Sequence, residues 1–349
     1  MPRLHCGAAI RHSAQAYDEA SQLMAGVPSR ALARYDRPSC RAMIAMTVLT
    51  PHGPRDAVCH MVLKAAHSTL MGDLGLNFWR GPGKDNARPF FRNSTVRWDA
   101  THAVHNRLLV NNQTNCRPPE SLLPEPALGA GASRAALHFA VVRDPLGHML
   151  AGIEEVEDYY ARNLRLQRKD WLARFQRDYD AGSVWRRMFR DRSGVQPGSD
   201  ASFAKRAEAM IGDMLAGRGS HMYLNFITHA VPQSLGLGFV GGDALPPAAA
   251  ANGTAALGLD YLASMEALDA EYATVEWLLG GTEPLTGKAQ LANPSGKRRK
   301  AKGITKQGFL AEASEDTRRA LCLVMQREYA CLAGLSVAYT MPPELASAC

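Results

Sequence analysis

The sequence predicts an α/β fold: one domain over residues 41–340 with a central, mostly parallel sheet and helices on both faces. Three observations point there. Short apolar, β-branched runs alternate with helical segments, two of those runs lead directly into a turn that opens a helix, and Gly/Pro-rich stretches separate such units without any internal repeat. The 349 residues are 46% hydrophobic and 21% charged, enough for a sizeable core and unlike a disordered, collagenous or coiled-coil chain.

Taken in order, residues 1–40 are rich in Ala, Arg and Ser, with a helical tint over Tyr17–Met24, and are expected to form a loosely ordered extension. The runs Ala42–Leu49 and Ala57–Leu63 read as buried strands around a Pro/Gly turn at Pro51–Pro54, and a helix is expected from Ala65, with Leu70, Leu74 and Leu76 as its apolar positions. Arg107–Val110 and Leu137–Val142 are further strand candidates, on either side of a Pro/Gly/Ala-rich loop at 117–133. Asp144-Pro145 opens a helical stretch to about Arg192, and Ser202–Leu215 reads as another helix. Met222–Thr228 fits a strand or a short helix, Tyr261–Met265 a strand, Leu268–Leu279 a helix and Glu315–Ala333 a closing amphipathic helix. Loops are expected near 241–258 and 281–308.

Forty Lys and Arg against 33 Asp and Glu give a formal charge of +7, a moderate excess that favours anionic partners. Seven cysteines without a CxxC pair or a zinc-type Cys/His spacing suggest neither a metal site nor a redox motif, and the odd count leaves at least one thiol free. No stretch reaches the roughly 18 apolar residues of a membrane span, and the first residues lack the apolar run of a signal peptide. Sequons begin at Asn93, Asn112 and Asn252, which is compatible with a secretory route. Between Arg162 and Arg192, ten Lys/Arg and four Asp/Glu interleave with Trp171, Phe175, Tyr179, Trp185 and Phe189. That pattern suits a groove for an acidic glycan or, more simply, a helix with aromatics in the core and Arg stems along its flank. The basic run Lys297–Lys302 reads as a solvated loop, and nucleic acid is not expected as a partner.

Two segments carry candidate chemistry. In VLKAAHSTLM, Val62–Met71, a lysine ends a buried strand and Ser68 and Thr69 open a helix. Such a turn offers an ammonium, hydroxyls and backbone N–H groups to one anion, although an ordinary N-capped turn with a solvated lysine has the same residues. It is not a Walker A loop, since GxxxxGK[ST] is absent. In FAVVRDPLGHMLAG, Phe139–Gly152, a strand ends in Arg143 and Asp144-Pro145 starts a helix. Arg143 therefore emerges at the carboxyl edge of the sheet, where open α/β folds bind ligands, unless it pairs with Asp144 or another carboxylate.

Together these segments resemble the carbohydrate sulfotransferases and their membrane-associated relatives, which use 3′-phosphoadenosine 5′-phosphosulfate. Lys64, Ala65, Ala66, Ser68 and Thr69 match the family's loop for the 5′-phosphosulfate, and Arg143, Asp144, Pro145 and Leu146 match its 3′-phosphate segment. Leu63 replaces the usual Pro, His67 stands where a small residue is expected, and Ala151 stands where the family has a phosphate-binding Ser. Thr228–Ser234 (THAVPQS) is similar to the family's His-x-x-Pro-Gln-Ser segment, and Leu259–Gly280 and Ser314–Gly334 are similar to its late strand with helix and its closing helix. The resemblance thus runs in order from about Ala57 to Gly334. It implies a P-loop-NTPase-like three-layer sandwich and sulfuryl transfer to a hydroxyl acceptor, a carbohydrate, without a metal. Lys64 would stabilise the bridging oxygen, Ser68 and Thr69 would hold the 5′-phosphate, and Arg143 would hold the 3′-phosphate. His102 or His105 would serve as base, with His229 a third choice. The Golgi lumen is the implied compartment, with the cytoplasm as the alternative. A non-catalytic anionic glycan- or nucleotide-binding relative and a nucleotide kinase are the rival readings.

Overall fold

The computed structural model describes residues 12–32, 43–60, 62, 65, 97–98, 104–105, 137–165, 183–188, 201–218, 230–237, 259–280, 305–335 and 337–349. After helix α1 (Ala14–Ala25), the chain forms strands β1 (Met43–Thr50), β2 (Gly53–His60), β3 (Arg97–Trp98), β4 (Val104–His105) and β5 (Leu137–Val142). Helices α2 (Pro145–Arg165), α3 (Val184–Met188), α4 (Phe203–Leu215) and α5 (Gln233–Gly236) follow, then β6 (Tyr261–Ser264) and a 3₁₀ turn at Met265–Ala267. The chain closes with α6 (Leu268–Leu278), α7 (Lys306–Glu312), α8 (Glu315–Leu332) and α9 (Pro343–Ala346).

The sheet is open, with order β3-β1-β2-β5-β6 and β4 also on β1. β2, β5 and β6 run parallel, while β1 is antiparallel to β2, β3 and β4. The expected α/β arrangement with a parallel sheet holds for the β2-β5-β6 half. The other half is antiparallel because only Pro51 and His52 separate β1 from β2, and so short a connection makes a hairpin; a parallel crossover needs a dozen or more residues.

Residues along β5 alternate between two faces. Ala140 and Val142 join Leu262 of β6 in a core with α1, α2, α4 and α8, to which Tyr17, Met149, Ile211 and Leu321 contribute. Phe139, Val141 and Ala263, of the opposite parity, are equally buried, so both faces of the parallel half are covered.

Two expectations are corrected by packing. The segment read as a loose extension contains α1, whose Tyr17 and Ala20 are buried among the helices, because its apolar stripe has a partner in the closing helix about 300 residues away. The helical stretch expected from Pro145 to about Arg192 is interrupted at Ser183. α2 ends at Arg165 and α3 starts afresh after Ser183, where Asp213 accepts the N–H groups of Val184 and Trp185 and the Ser183 hydroxyl. Trp185 of the aromatic-basic stretch is wholly buried and donates its indole N–H to Glu157 at 3.3 Å, which assigns it to the core. The other four aromatics of that stretch and Lys297–Lys302 lie outside the described residues. Among the described residues no helix is long and apolar enough to cross a membrane.

Candidate functional site

The strand-to-helix junction at the end of β5 forms for local reasons. β5 is apolar and buried over its last four residues, Asp144 is the second residue beyond the strand, and Pro145 takes the first helical position, where no N–H is needed. Asp144 caps α2: its Oδ1 accepts the Gly147 N–H at 2.7 Å and its carbonyl accepts the His148 N–H at 2.7 Å. Arg143 lies between strand and cap, half-buried, at the carboxyl edge of the sheet. The chain leaving β2 goes to strands that pair with β1, whereas the chain leaving β5 goes to β6 on the other flank. The ends of β2 and β5 therefore frame the place where connections diverge, the usual ligand crevice of an open α/β sheet.

Five distant groups grip this junction. Gln233, at the start of α5, accepts the Arg143 N–H through Oε1 at 2.9 Å and donates through Nε2 to the Arg143 carbonyl at 2.6 Å. Behind it, the buried Glu328 of α8 accepts from Gln233 Nε2 at 3.3 Å and from the Ser234 hydroxyl at 3.0 Å. Burial pushes the Glu328 carboxyl up to about 7 in spite of these donors. Next to Glu328, the Tyr329 hydroxyl accepts the Leu146 N–H at 3.2 Å and donates to Asp144 Oδ2 at 3.4 Å. Lys306 Nζ stands 3.1 Å from the same Oδ2. From the other side, the Tyr339 hydroxyl accepts from Ser264 at 2.8 Å and meets the Val142 carbonyl and the Glu266 carboxylate. Burial, with Asp144 beside Tyr329 and Glu266 beside Tyr339, keeps both phenols protonated far above their ordinary range.

This geometry decides what the edge can bind. The N–H groups of Leu146 and Gly147, which an uncapped helix would turn toward an anion, are taken by Tyr329 and Asp144. The Asp144 carboxylate is engaged by Gly147, Tyr329 and Lys306. Arg143 extends from a peptide fixed by Gln233 at the carboxyl edge of the sheet. The residues present suit a phosphate at Arg143. The hydroxyl that the resembled family places on α2 has no counterpart, since Ala151 carries none and is packed into the interior, only 2% exposed.

The first motif is represented by two residues. Val62 and Ala65 are buried, and the Ala65 N–H donates to the Val62 carbonyl at 3.1 Å, engaged within a turn. Lys64, Ala66, His67, Ser68 and Thr69 lie outside the described residues, as do His102 and His229. The backbone of His105 is extended in β4 and pairs with Ile44 of β1, in the same row as Cys59 and Phe139. At about 4.8 Å per strand and 3.3 Å per residue, that row places it roughly 14 Å across the sheet and 13 Å back along β5 from Arg143.

Gln233, Glu328, Tyr329, Tyr339 and Lys306 carried no assigned role in the sequence reading. Gln233 had a signal, since it belongs to the Pro-Gln-Ser resemblance; the others are ordinary positions until the chain folds. His60 of β2 and His138 of β5 also come together, Nε2 to Nδ1 at 3.0 Å, with His60 only 1% exposed. That pair ties the two strands from within the fold. No family model, curated protein or solved structure matches the chain.

Proposed function

We propose that the protein is a sulfotransferase that moves a sulfuryl group from 3′-phosphoadenosine 5′-phosphosulfate to a carbohydrate hydroxyl. One observation carries the reading: Gln233 of the Pro-Gln-Ser segment holds both sides of the Arg143 peptide, so two motifs that resemble the family separately, 90 residues apart, meet at one ligand edge. The donor supplies an activated sulfuryl group, and positioning and charge stabilisation do most of the work in such transfers. Arg143 would hold the 3′-phosphate, while Ser68 and Thr69 would hold the 5′-phosphate. Lys64 would stabilise negative charge growing on the bridging oxygen as the S–O bond to the nucleotide breaks and the acceptor oxygen bonds to sulfur. His102 or His105 would take the acceptor proton. Cys322 and Cys349 form a disulfide that ties the C-terminus to α8. A disulfide suits an oxidising compartment and so supports the Golgi lumen over the cytoplasm.

The burial of Ala151 favours a second reading, a non-catalytic protein that binds an anionic glycan or nucleotide through the same edge. The deciding experiment is calorimetric titration with adenosine 3′,5′-bisphosphate and, separately, with ATP and magnesium, alongside an assay for labelled sulfuryl transfer to a glycan pool. Tight bisphosphate binding with transfer supports the sulfotransferase; binding without transfer supports the second reading. Preference for ATP with magnesium rejects both.

A further inference from the structure

The rim beside Arg143 holds a carboxylate that the proposed transfer does not use. β5 and β6 pair in parallel with Val142 opposite Ser264, so Arg143 stands one residue and Glu266 two residues past the last paired row, on strands about 4.8 Å apart. Glu266 lies in the 3₁₀ turn that leaves β6, and it is exposed. The buried Tyr339 hydroxyl donates to its Oε2. That hydroxyl also accepts from Ser264 Oγ at 2.8 Å and lies 3.3 Å from the Val142 carbonyl, whose carbon is bonded to the Arg143 nitrogen. One hydroxyl therefore separates the Glu266 carboxylate from the backbone that carries Arg143. The neighbouring Asp144 is spent within the fold, since Gly147 occupies its Oδ1 and Tyr329 and Lys306 its Oδ2. Glu266 differs. Among the described residues only Tyr339 bonds to it, which leaves Oε1 to accept.

We propose that Glu266 accepts a hydrogen bond from the 2′-hydroxyl of the sulfuryl donor's ribose and so selects the nucleotide; this rests on the placing of the 3′-phosphate at Arg143. The position picks out that hydroxyl. A nucleotide running from the turn after β2 to Arg143 after β5 keeps its 5′ end near β2 and turns the 2′ side of its ribose toward β6. The 2′-hydroxyl sits on the carbon next to the one that bears the 3′-phosphate, and its hydrogen needs an acceptor. A guanidinium has none to offer, whereas an acidic side chain just past a strand of an open α/β sheet suits a ribose hydroxyl. Water at the exposed carboxylate screens it from the phosphate held by Arg143. A phosphate on the 2′ oxygen itself would meet Glu266 directly and be rejected.

The test is calorimetry on the full chain with adenosine 3′,5′-bisphosphate, its 2′-deoxy analogue and adenosine 2′,5′-bisphosphate. The parent chain should bind the 2′-deoxy analogue about tenfold more weakly than the ribo form, the loss expected for a hydrogen bond to a charged group, and the 2′,5′ isomer more weakly still. Glu266→Ala should bind the ribo and deoxy forms alike and narrow the gap to the 2′,5′ isomer. Glu266→Gln keeps an acceptor oxygen without the charge, so its preference for the ribo form should fall between the two. Equal affinity of the parent chain for the ribo and deoxy forms overturns the inference and leaves the 3′-phosphate at Arg143 untouched. A preference that persists in a folded Glu266→Ala variant does the same. Should Glu266→Ala fail to fold, an undiminished preference in Glu266→Gln overturns it. If the parent chain binds no adenosine 3′,5′-bisphosphate, the sulfotransferase reading falls and takes this inference with it.

Discussion

Gln233 pairs with the peptide of Arg143 as a neighbouring strand would, accepting its N–H at 2.9 Å and donating to its carbonyl at 2.6 Å. Gln233→Ala removes both bonds and leaves a buried carboxylate, Glu328, one donor short. The expected loss of stability is about 1–3 kcal/mol, the usual cost of leaving buried groups unsatisfied. The variant should also bind adenosine 3′,5′-bisphosphate more weakly, because the Arg143 backbone must then be ordered on binding. Thermal melts and calorimetry together check this; wild-type nucleotide affinity in the destabilised variant would show that the clamp serves the fold alone.

Two buried groups give opposite pH dependences. Glu328 is raised from 4.5 to about 7, so the folded state keeps a proton that the unfolded chain releases, and stability is lost as pH rises through that window. His12 is lowered from 6.5 to about 4, so its contribution is present above 6.5 and lost as pH falls toward 4. Each is worth on the order of 3 kcal/mol across its window, and between pH 4.5 and 6.5 the two largely cancel. Urea unfolding should give a shallow profile for the parent chain, a profile rising with pH for Glu328→Gln and one falling with pH for His12→Asn. Identical slopes in all three would refute both assignments. Asp213, also raised by burial, is common to the three and drops out of the comparison.

The cap of α2 separates charge from hydrogen bonding. Asp144→Asn keeps an oxygen for the Gly147 N–H but loses the attraction to Lys306, whose side chain is 43% exposed, and the 3.4 Å acceptor of the Tyr329 hydroxyl, so it should cost about 1 kcal/mol. Asp144→Ala removes the cap and should cost about 0.5–2 kcal/mol. Equal destabilisation by the two substitutions, measured by chemical unfolding, would move the weight from the cap to the ion pair.

These cases show what a sequence can carry. The end of β5 was legible because each signal is local: an apolar run, then Asp as cap and Pro at the first helical position. The end of β1 and the helix starts near Ser202 and Ser314 were legible for the same reason, and the structure shows both serines as caps. The beginning of β2 was missed by four residues because Arg55 and Asp56 interrupt its apolar run, although strand pairing requires backbone groups and not apolar side chains. The antiparallel hairpin could have been read from its two-residue connection. The roles of Glu328 and Tyr329 could not, since neighbours on one helix serve Gln233 and Asp144 only after α5, α2 and α8 have packed. The docking of α1 likewise depends on a partner 300 residues away.

Lys64 tests the proposed chemistry separately from binding. Lys64→Ala should leave stability and adenosine 3′,5′-bisphosphate affinity near those of the parent and lower turnover by roughly a hundredfold or more, as removal of a preorganised charge-stabilising donor does. Half the parent turnover in that variant would remove Lys64 from the mechanism. His102→Ala and His105→Ala, assayed in the same way, divide the role of base: the base is the one whose loss abolishes turnover with nucleotide affinity intact.

Arg143 gives the sharpest test of the edge. Its peptide is immobilised, its neighbouring carboxylate is engaged by Gly147, Tyr329 and Lys306, and Ala151 brings no hydroxyl to share the load. Selectivity for a 3′-phosphate therefore rests on the guanidinium more than it would with a serine on α2. Arg143→Ala should weaken adenosine 3′,5′-bisphosphate by about 2–5 kcal/mol while changing adenosine 5′-phosphate affinity little, since truncating one partner of a buried charge pair costs that much. Arg143→Lys keeps the charge but loses the fork that grips two phosphate oxygens, and should recover only part of the loss. Calorimetry with both nucleotides on the three proteins reads this directly. Equal affinity of the parent chain for the two nucleotides would take the 3′-phosphate away from Arg143 and leave the clamp around it without a ligand to serve.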